Sequence, residues 1–285
     1  MVPGTLGLRG PTTSKGGAAC FCPPDSALLA SARDSERIYF ALGARTTLSL
    51  PWSLHVVPDF EHLPAAAVCL LDVGLSAERL PEHLHAIERS FVLARVSRSR
   101  IYVTVDSPRL REQFSSLGYT WRCEIVHGVS IAEHSAFPQE RGRWEPVDSD
   151  RGWREKQQLH ELPSLGSDGY AVSACDWVAF ERQKAEVGGD ALKFWLFVVD
   201  DVPVMTLGTM PMESGIVRIK NLYVHPLARG RGVGCRALGA FLKQEGQRGA
   251  TAAVLFSLEG SVGQRLYASL GGRALGRAHE WSREL

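Results

Sequence analysis

Arg229-Gly230-Arg231-Gly232-Val233-Gly234 is the segment of this 285-residue chain best suited to chemistry. Three glycines remove side chains, so backbone N–H groups can converge on an anion, and a helix starting directly behind them adds about half a positive charge. That combination suits a pyrophosphate, and the guanidinium forks of Arg229 and Arg231 suit its oxygens. A nucleoside-triphosphate loop would need Gly-Lys-Ser/Thr at its end, which is absent. Gly232-Val233-Gly234-Cys235-Arg236-Ala237 does have the dinucleotide spelling G-x-G-x-x-A. There, however, a strand should run almost directly into the first glycine. Here seven residues follow Val224 first, and Thr251 to Phe256 offers no acidic residue for a ribose.

The elements that must hold this loop can be read on either side of it. Phe194 to Val199 turns at Asp200-Asp201 into Val202 to Leu207, a hairpin, and Ile216 to Val224 is a strand stopped at His225-Pro226. Behind the glycines, Ala237, Leu238, Phe241 and Leu242 form one helical stripe closed by Gly246. Thr251 to Phe256 reads as a strand, and Ser261 caps a helix carrying Val262, Leu266 and Leu270 that ends at Gly271-Gly272. A last strand runs towards Trp281.

The same order occurs earlier. Ile101 to Val105 reads as a strand, Pro108 opens a helix with Leu110, Phe114 and Leu117 on one stripe, and Gly118 ends it. A shift of 153 residues lays Ser116-Leu117-Gly118 on Ser269-Leu270-Gly271 and Phe114 on Tyr267, which points to two copies of one fold. The expected organisation is a loose Gly/Thr/Pro-rich tail over 1–24, a first domain over 25–139, a charge-dense linker over 140–168 and a second domain over 169–285.

Leu222-Tyr223-Val224-His225-Pro226, then Arg-x-x-Gly-x-Gly at 229–234, then Leu266-Tyr267 ahead of Leu270-Gly271, resemble the GCN5-related N-acetyltransferase (GNAT) family across about residues 170–285. The resemblance implies an α/β (α+β) fold of two GNAT-like domains, each a mixed, mostly antiparallel sheet flanked by helices. It further implies two central strands that splay apart, with the pantetheine arm of an acyl-CoA, most simply acetyl-CoA, in the gap. Leu222, Tyr223, Val224, Arg229, Gly230, Arg231, Gly232, Val233 and Gly234 would then bind the cofactor, with main-chain groups at Tyr223 and Val224 pairing with pantetheine amides as an added strand would. The first half resembles a degenerate copy: Leu75 to Leu84, where its cradle should lie, has no glycine pair, and Phe114 lacks the hydroxyl of Tyr267. It is therefore expected to serve packing, substrate shaping or an interface.

Acyl transfer from a thioester to an amine passes through a tetrahedral oxyanion, for which an N–H near Val224 is a suitable donor. The amine, of pKa ~10 in water, must lose a proton before attacking, and the departing thiolate, of conjugate pKa ~8.5, must gain one. Tyr267 stands where the family places its general acid. The family's glutamate on the strand before the cradle has no counterpart, since Ile219, Lys220, Asn221 and Leu222 occupy that stretch. Glu213, Asp176 and Glu181 are the nearest acids in the same half. Gly260 and Gly263 also depart from the family's Asn and Ala ahead of the tyrosine, which weakens expected contacts to the phosphate arm.

Composition bounds the reading. With 32 Lys plus Arg against 31 Asp plus Glu, a net charge of +1 gives no field to attract nucleic acid or an anionic membrane, and a small-molecule amine is the expected acceptor. No apolar run approaches the 18 or more residues that span a bilayer. Six cysteines without framework spacing suit the reducing cytoplasm. No metal is expected: Cys20-Phe21-Cys22 lacks a second pair, and His83 and His85 point apart on a helix. Gly260-Ser261-Val262-Gly263 lacks the leading glycine of a hydrolase elbow. The sequence leaves the acceptor, acyl preference and oligomeric state open, with an acyl-CoA-binding regulatory module, an O-acyltransferase or a decarboxylase as the alternatives.

Overall fold

The structure, a computed structural model, describes residues 22–71, 77–103, 107–132, 141–161 and 172–285. The expected tail lies outside the described residues apart from 22–24, as do Cys20, residues 75–76, Thr104, Val105 and the linker segments 140 and 162–168. In chain order the first half is α1 (Asp25–Ala41), β1 (Arg45–Ser49), β2 (Trp52–Val56), β3 (Ala67–Leu71), α2 (Leu80–Leu93), β4 (Arg98–Val103), α3 (Pro108–Ser116) and β5 (Thr120–Ser130). The second is β6 (Arg143–Pro146), α4 (Asp150–Glu161), α5 (Ala174–Gly188), β7 (Lys193–Val199), β8 (Val202–Met212), β9 (Ile216–Val224), α6 (Val233–Gln247), β10 (Ala252–Leu258), α7 (Val262–Ser269) and β11 (Arg273–Glu284).

Local chemistry explains most boundaries. The β7–β8 turn places Asp200 and Asp201 at φ +48° and +61°, the sign that a two-residue hairpin of matching twist requires. Ser261 accepts a hydrogen bond from the Gln264 N–H and caps α7, so it is a helix cap and not a nucleophile. Gly118 and Gly271 end α3 and α7 in the left-handed region, at φ +79° and +72°. The two chain copies therefore stop their helices by the same device, 153 residues apart.

Segment 140–168, expected to be a linker, is structured where described. β6 pairs antiparallel with β7, and α4 buries Trp153, Lys156 and Leu159. Its charge hid the pattern, because one inward position is a lysine that is neutralised in the core by Glu181.

Both halves have the mixed, mostly antiparallel sheet and flanking helices, and they are joined into one sheet of order β1-β2-β3-β4-β11-β5-β10-β9-β8-β7-β6. Among the described residues only β3–β4 and β9–β10 pair in parallel. The last strands are exchanged: β5 of the first half lies beside β10, β11 of the second lies beside β4, and the two pair with each other at the centre. Strand alternation divides the core. α2, α3, α6 and α7 cover the face bearing Ile101, Trp281, Ile125, Leu255 and Ile219, while α1, α4 and α5 cover the other, where α1 buries Leu28, Ala32, Ser35, Glu36, Tyr39 and Phe40. Trp281 of β11 stacks on Phe114 of α3 at 4.7 Å, so each half completes the other's core.

Candidate functional site

β9 and β10 pair only from Ile216 to Ile219 and from Ala252 to Leu255. Beyond that the strands part. Lys220 to Val224 stay paired with β8 on one side, and Phe256 to Leu258 stay paired with β5 on the other, so the edges facing the gap have no strand partner in each other. A bulge starts the divergence: Thr206 faces Tyr223 and Gly208 faces Lys220, which leaves Leu207 against two residues. One of these, Asn221, sits at φ +50°, a conformation costing about 1 kcal/mol outside glycine. Its side chain is clamped, with Nδ2 donating to Tyr39 Oη at 3.1 Å and to Glu181 Oε1 at 2.8 Å. Glu181 Oε2 lies 2.7 Å from Lys156 Nζ, and both side chains are wholly buried. Removing one member of such a pair typically costs about 3–5 kcal/mol, so the bulge rests on α4 and α5.

The glycine loop follows the diverging strand. His225 donates its N–H to Val204, and a short turn over Pro226–Ala228 leads to Gly230 and Gly232, at φ +72° and +75°. Gly232 is the N-cap of α6, whose first-turn N–H groups have no intrahelical acceptor and face outward from the helix end. At Gly234 the requirement is space, since an added Cβ would meet Val224 Cγ2 at 3.2 Å and Leu266 at 4.0 Å. The expected cofactor residues from Leu222 to Gly234 thus converge on the open end of the gap. Leu222 and Val224 pack toward α6 and α7, whereas the Tyr223 ring lies 4.5 Å from His160 of α4 with its hydroxyl buried and without a hydrogen-bond partner among the described residues.

The two arginines of the loop are placed differently from one another. Arg229 folds back, donating Nε–H to the Val224 carbonyl at 2.8 Å with its guanidinium 5.4 Å from the Tyr223 ring centre. Arg231 is exposed at the loop, and its carbonyl accepts from Arg236 Nη2 at 3.1 Å. Arg236, a cation that sequence reasoning passed over, stands over Gly232 in the first turn of α6. Its spacing of four from the glycine was the available signal.

Tyr267 lies on the inner face of α7, nearly fully buried, edge-on to His127 at 5.4 Å. Burial pushes its hydroxyl up to about 12, with Arg218 pulling down and Glu124 pushing up less strongly. His127 belongs to β5 and hydrogen-bonds Ser257 across to β10 at 2.9 Å, so the first half walls this side of the site.

On the opposite face, beneath α1, the gap is floored by charge. Glu36 accepts from Arg218 Nη2 at 2.9 Å and from Lys220 Nζ at 2.8 Å; burial raises its carboxyl, and the two cations override this to hold it at about 2. Arg218 lies 4.0 Å over Phe256 across the base of the gap. Lys184 of α5 donates to the Tyr39 and Leu42 carbonyls at the end of α1, and burial, aided by Lys220, lowers its ammonium to about 7. Among the acids named from sequence, Glu181 is committed to Lys156 and Asn221. Glu213 lies in the turn at the far end of β9, and half-buried Asp176 accepts from Ser173 at the start of α5. Neither joins the cradle. Among the described residues no group of three or more His, Cys, Asp or Glu could hold a metal ion, and no helix is long and apolar enough to cross a membrane.

No protein-family model matches the chain, and no curated protein matches it. Solved structures do. A GCN5-related N-acetyltransferase from Kribbella flavida aligns with TM-score 0.63 at 18% identity over 88% of this chain and 95% of that one. A GCN5-related N-acetyltransferase from Sphaerobacter thermophilus aligns with TM-score 0.58 at 15% identity over 92% and 94%. A tandem GNAT protein from the clavulanic acid biosynthesis pathway aligns with TM-score 0.53 at 14% identity over 91% and 95%.

Proposed function

The chain has the fold of GCN5-related N-acetyltransferases, and on that premise we propose that it is an acyl-CoA-dependent N-acyltransferase that moves an acetyl group from acetyl-CoA to a small-molecule amine. One observation carries the reading: β9 parts from β10 where a loop with left-handed glycines delivers the N-terminus of α6 to the open end. In this reading the α6 N–H groups and Gly230 to Gly234 hold the diphosphate, with Arg231 and Arg236 adding charge. Leu222 to Val224 align the pantetheine as an extra strand. An N–H near Val224 stabilises the oxyanion as the neutral amine attacks the thioester carbon. The C–N bond forms, the C–S bond breaks, the nitrogen loses a proton to water, and Tyr267 donates a hydrogen bond and then a proton to the thiolate, regaining it from water. We place the chain in the cytoplasm, a reading supported by the free thiols of Cys22, Cys69, Cys123, Cys175 and Cys235.

A second reading, an acyl-CoA-binding module without turnover, is favoured by the absence of an acid on β9. Mixing the protein with acetyl-CoA and a panel of amino acids, amino sugars and polyamines, while following free thiol, separates the two. Thiol release dependent on one class of amine is expected. Acetyl-CoA binding without thiol release from any amine would leave the module.

A further inference from the structure

β9 carries no acidic residue. We propose that Glu124, on the exchanged strand β5, takes the proton from the acceptor amine, an inference that rests on the acyltransferase reading above.

The placement follows from register. Glu124 stands opposite Leu258, the last residue of β10, beyond the point where β10 has left β9. Directly opposed residues of an antiparallel pair share a face. Glu124 therefore projects on the same face as Leu258 and Phe256, the side over which Arg218 and Lys220 meet Glu36 of α1. This is the face opposite Tyr267. A base and an acid on opposite sides of one gap is the arrangement that lets an amine enter from one side while the thiolate leaves towards the other.

Its chemistry suits the role. Glu36 is held by two cations, Glu181 by Lys156, and Glu280 by Arg100 at 2.6 Å. Glu124 forms no ion pair among the described residues. It accepts a hydrogen bond from Tyr102 Oη to Oε2 at 3.2 Å, which orients the group, and no described residue donates to Oε1. It is half-buried, so it keeps a route to solvent for the proton. Burial raises its proton affinity and the Glu36 carboxylate raises it further; Glu280 adds to this, against Lys220 and Arg100. The step balances: the ammonium gives one proton to Oε1 and the freed lone pair attacks the thioester carbon; as the C–S bond breaks the nitrogen loses its second proton to water, the thiolate gains one from Tyr267, which water reprotonates, and the carboxylic acid returns its proton to water.

The test uses the full-length protein with two kinds of acceptor, an alkyl amine that is an ammonium ion at neutral pH and an O-alkyl hydroxylamine that is already neutral. For E124Q, acetyl-CoA binding by calorimetry is expected to match wild type. Its kcat/KM for the alkyl amine should fall by about 10²- to 10⁴-fold while that for the hydroxylamine is retained. In wild type at saturating acceptor, kcat for the alkyl amine should fall on the acid side with an apparent pKa above the ordinary carboxylate range and well below that of the amine, and kcat for the hydroxylamine should not; a flat kcat for the alkyl amine would overturn the role even if the variant fails to fold. Wild-type rates in E124Q, or equal losses with both acceptors, would overturn the role of Glu124 alone. Absence of acetyl-CoA binding by the wild-type chain would instead overturn the acyltransferase reading, and this role with it.

Discussion

Tyr267 is neutral at any working pH, because burial holds its hydroxyl near 12. Against a thiolate of conjugate pKa ~8.5, full transfer of its proton is uphill by about 3–4 pK units, or roughly 5 kcal/mol. In the proposed reaction its contribution would therefore be a hydrogen bond that strengthens as the C–S bond breaks, with the proton following late. Tyr267→Phe should lower kcat about 10- to 100-fold and leave the KM for acetyl-CoA unchanged. Steady-state thiol release measures both, and an unchanged kcat would return Tyr267 to a packing role against His127. Its candidacy was legible because a Leu-Tyr pair just ahead of a terminating Leu-Gly is a local pattern. Glu124 was not legible, since it meets β10 only through a pairing with residues more than 130 positions away in sequence.

Among the elements, α4 and α5 set the geometry of the strand that lines the gap. Sequence periodicity showed β9, its stop at Pro226 and the helix behind the glycines, each governed by contacts within a few residues. It did not show the bulge, whose Asn221 is explained only by Glu181 and Tyr39 from other elements, nor α4, whose inward Lys156 reads as a surface charge until its partner is known. His160 of α4 gives this layer a pH signature. Burial, with the Lys156 charge, lowers its imidazole to about 3, against ~6.5 in an unfolded chain. Between those values the unfolded chain binds the proton and the folded chain does not. Stability from this group is thus complete above ~6.5 and is lost as pH falls towards 3, by at most about 1.4 kcal/mol per pH unit. Glu36, held at about 2, adds its own loss only below ~4.3, the unfolded glutamate value. Urea unfolding of wild type and His160→Gln between pH 4.5 and 6.5 should show a steep wild-type dependence and a flatter one in the variant; parallel curves would refute the assignment.

For the whole molecule, exchange of β5 and β11 makes the halves interdependent. The repeat was readable from the strand, helix and glycine order, but which sheet each last strand joins was not, because that is set by pairings with strands far away in sequence. Trp281 fills the first half's core and His127 walls the second half's site. A chain ending at Gly272 should therefore lose cooperative unfolding in both halves, read by circular dichroism and by tryptophan fluorescence from the first half. A first half that kept its transition would contradict the exchange. Titration calorimetry of coenzyme A into the intact chain tests the proposed diphosphate cradle at the start of α6 most directly. The expected result is saturable heat for wild type and a loss of affinity of about tenfold or more for Gly232→Val, which forces a β-branched residue to φ +75° and a Cβ to 2.6 Å from Arg236. No heat with wild type, or equal affinity in the variant, would contradict it.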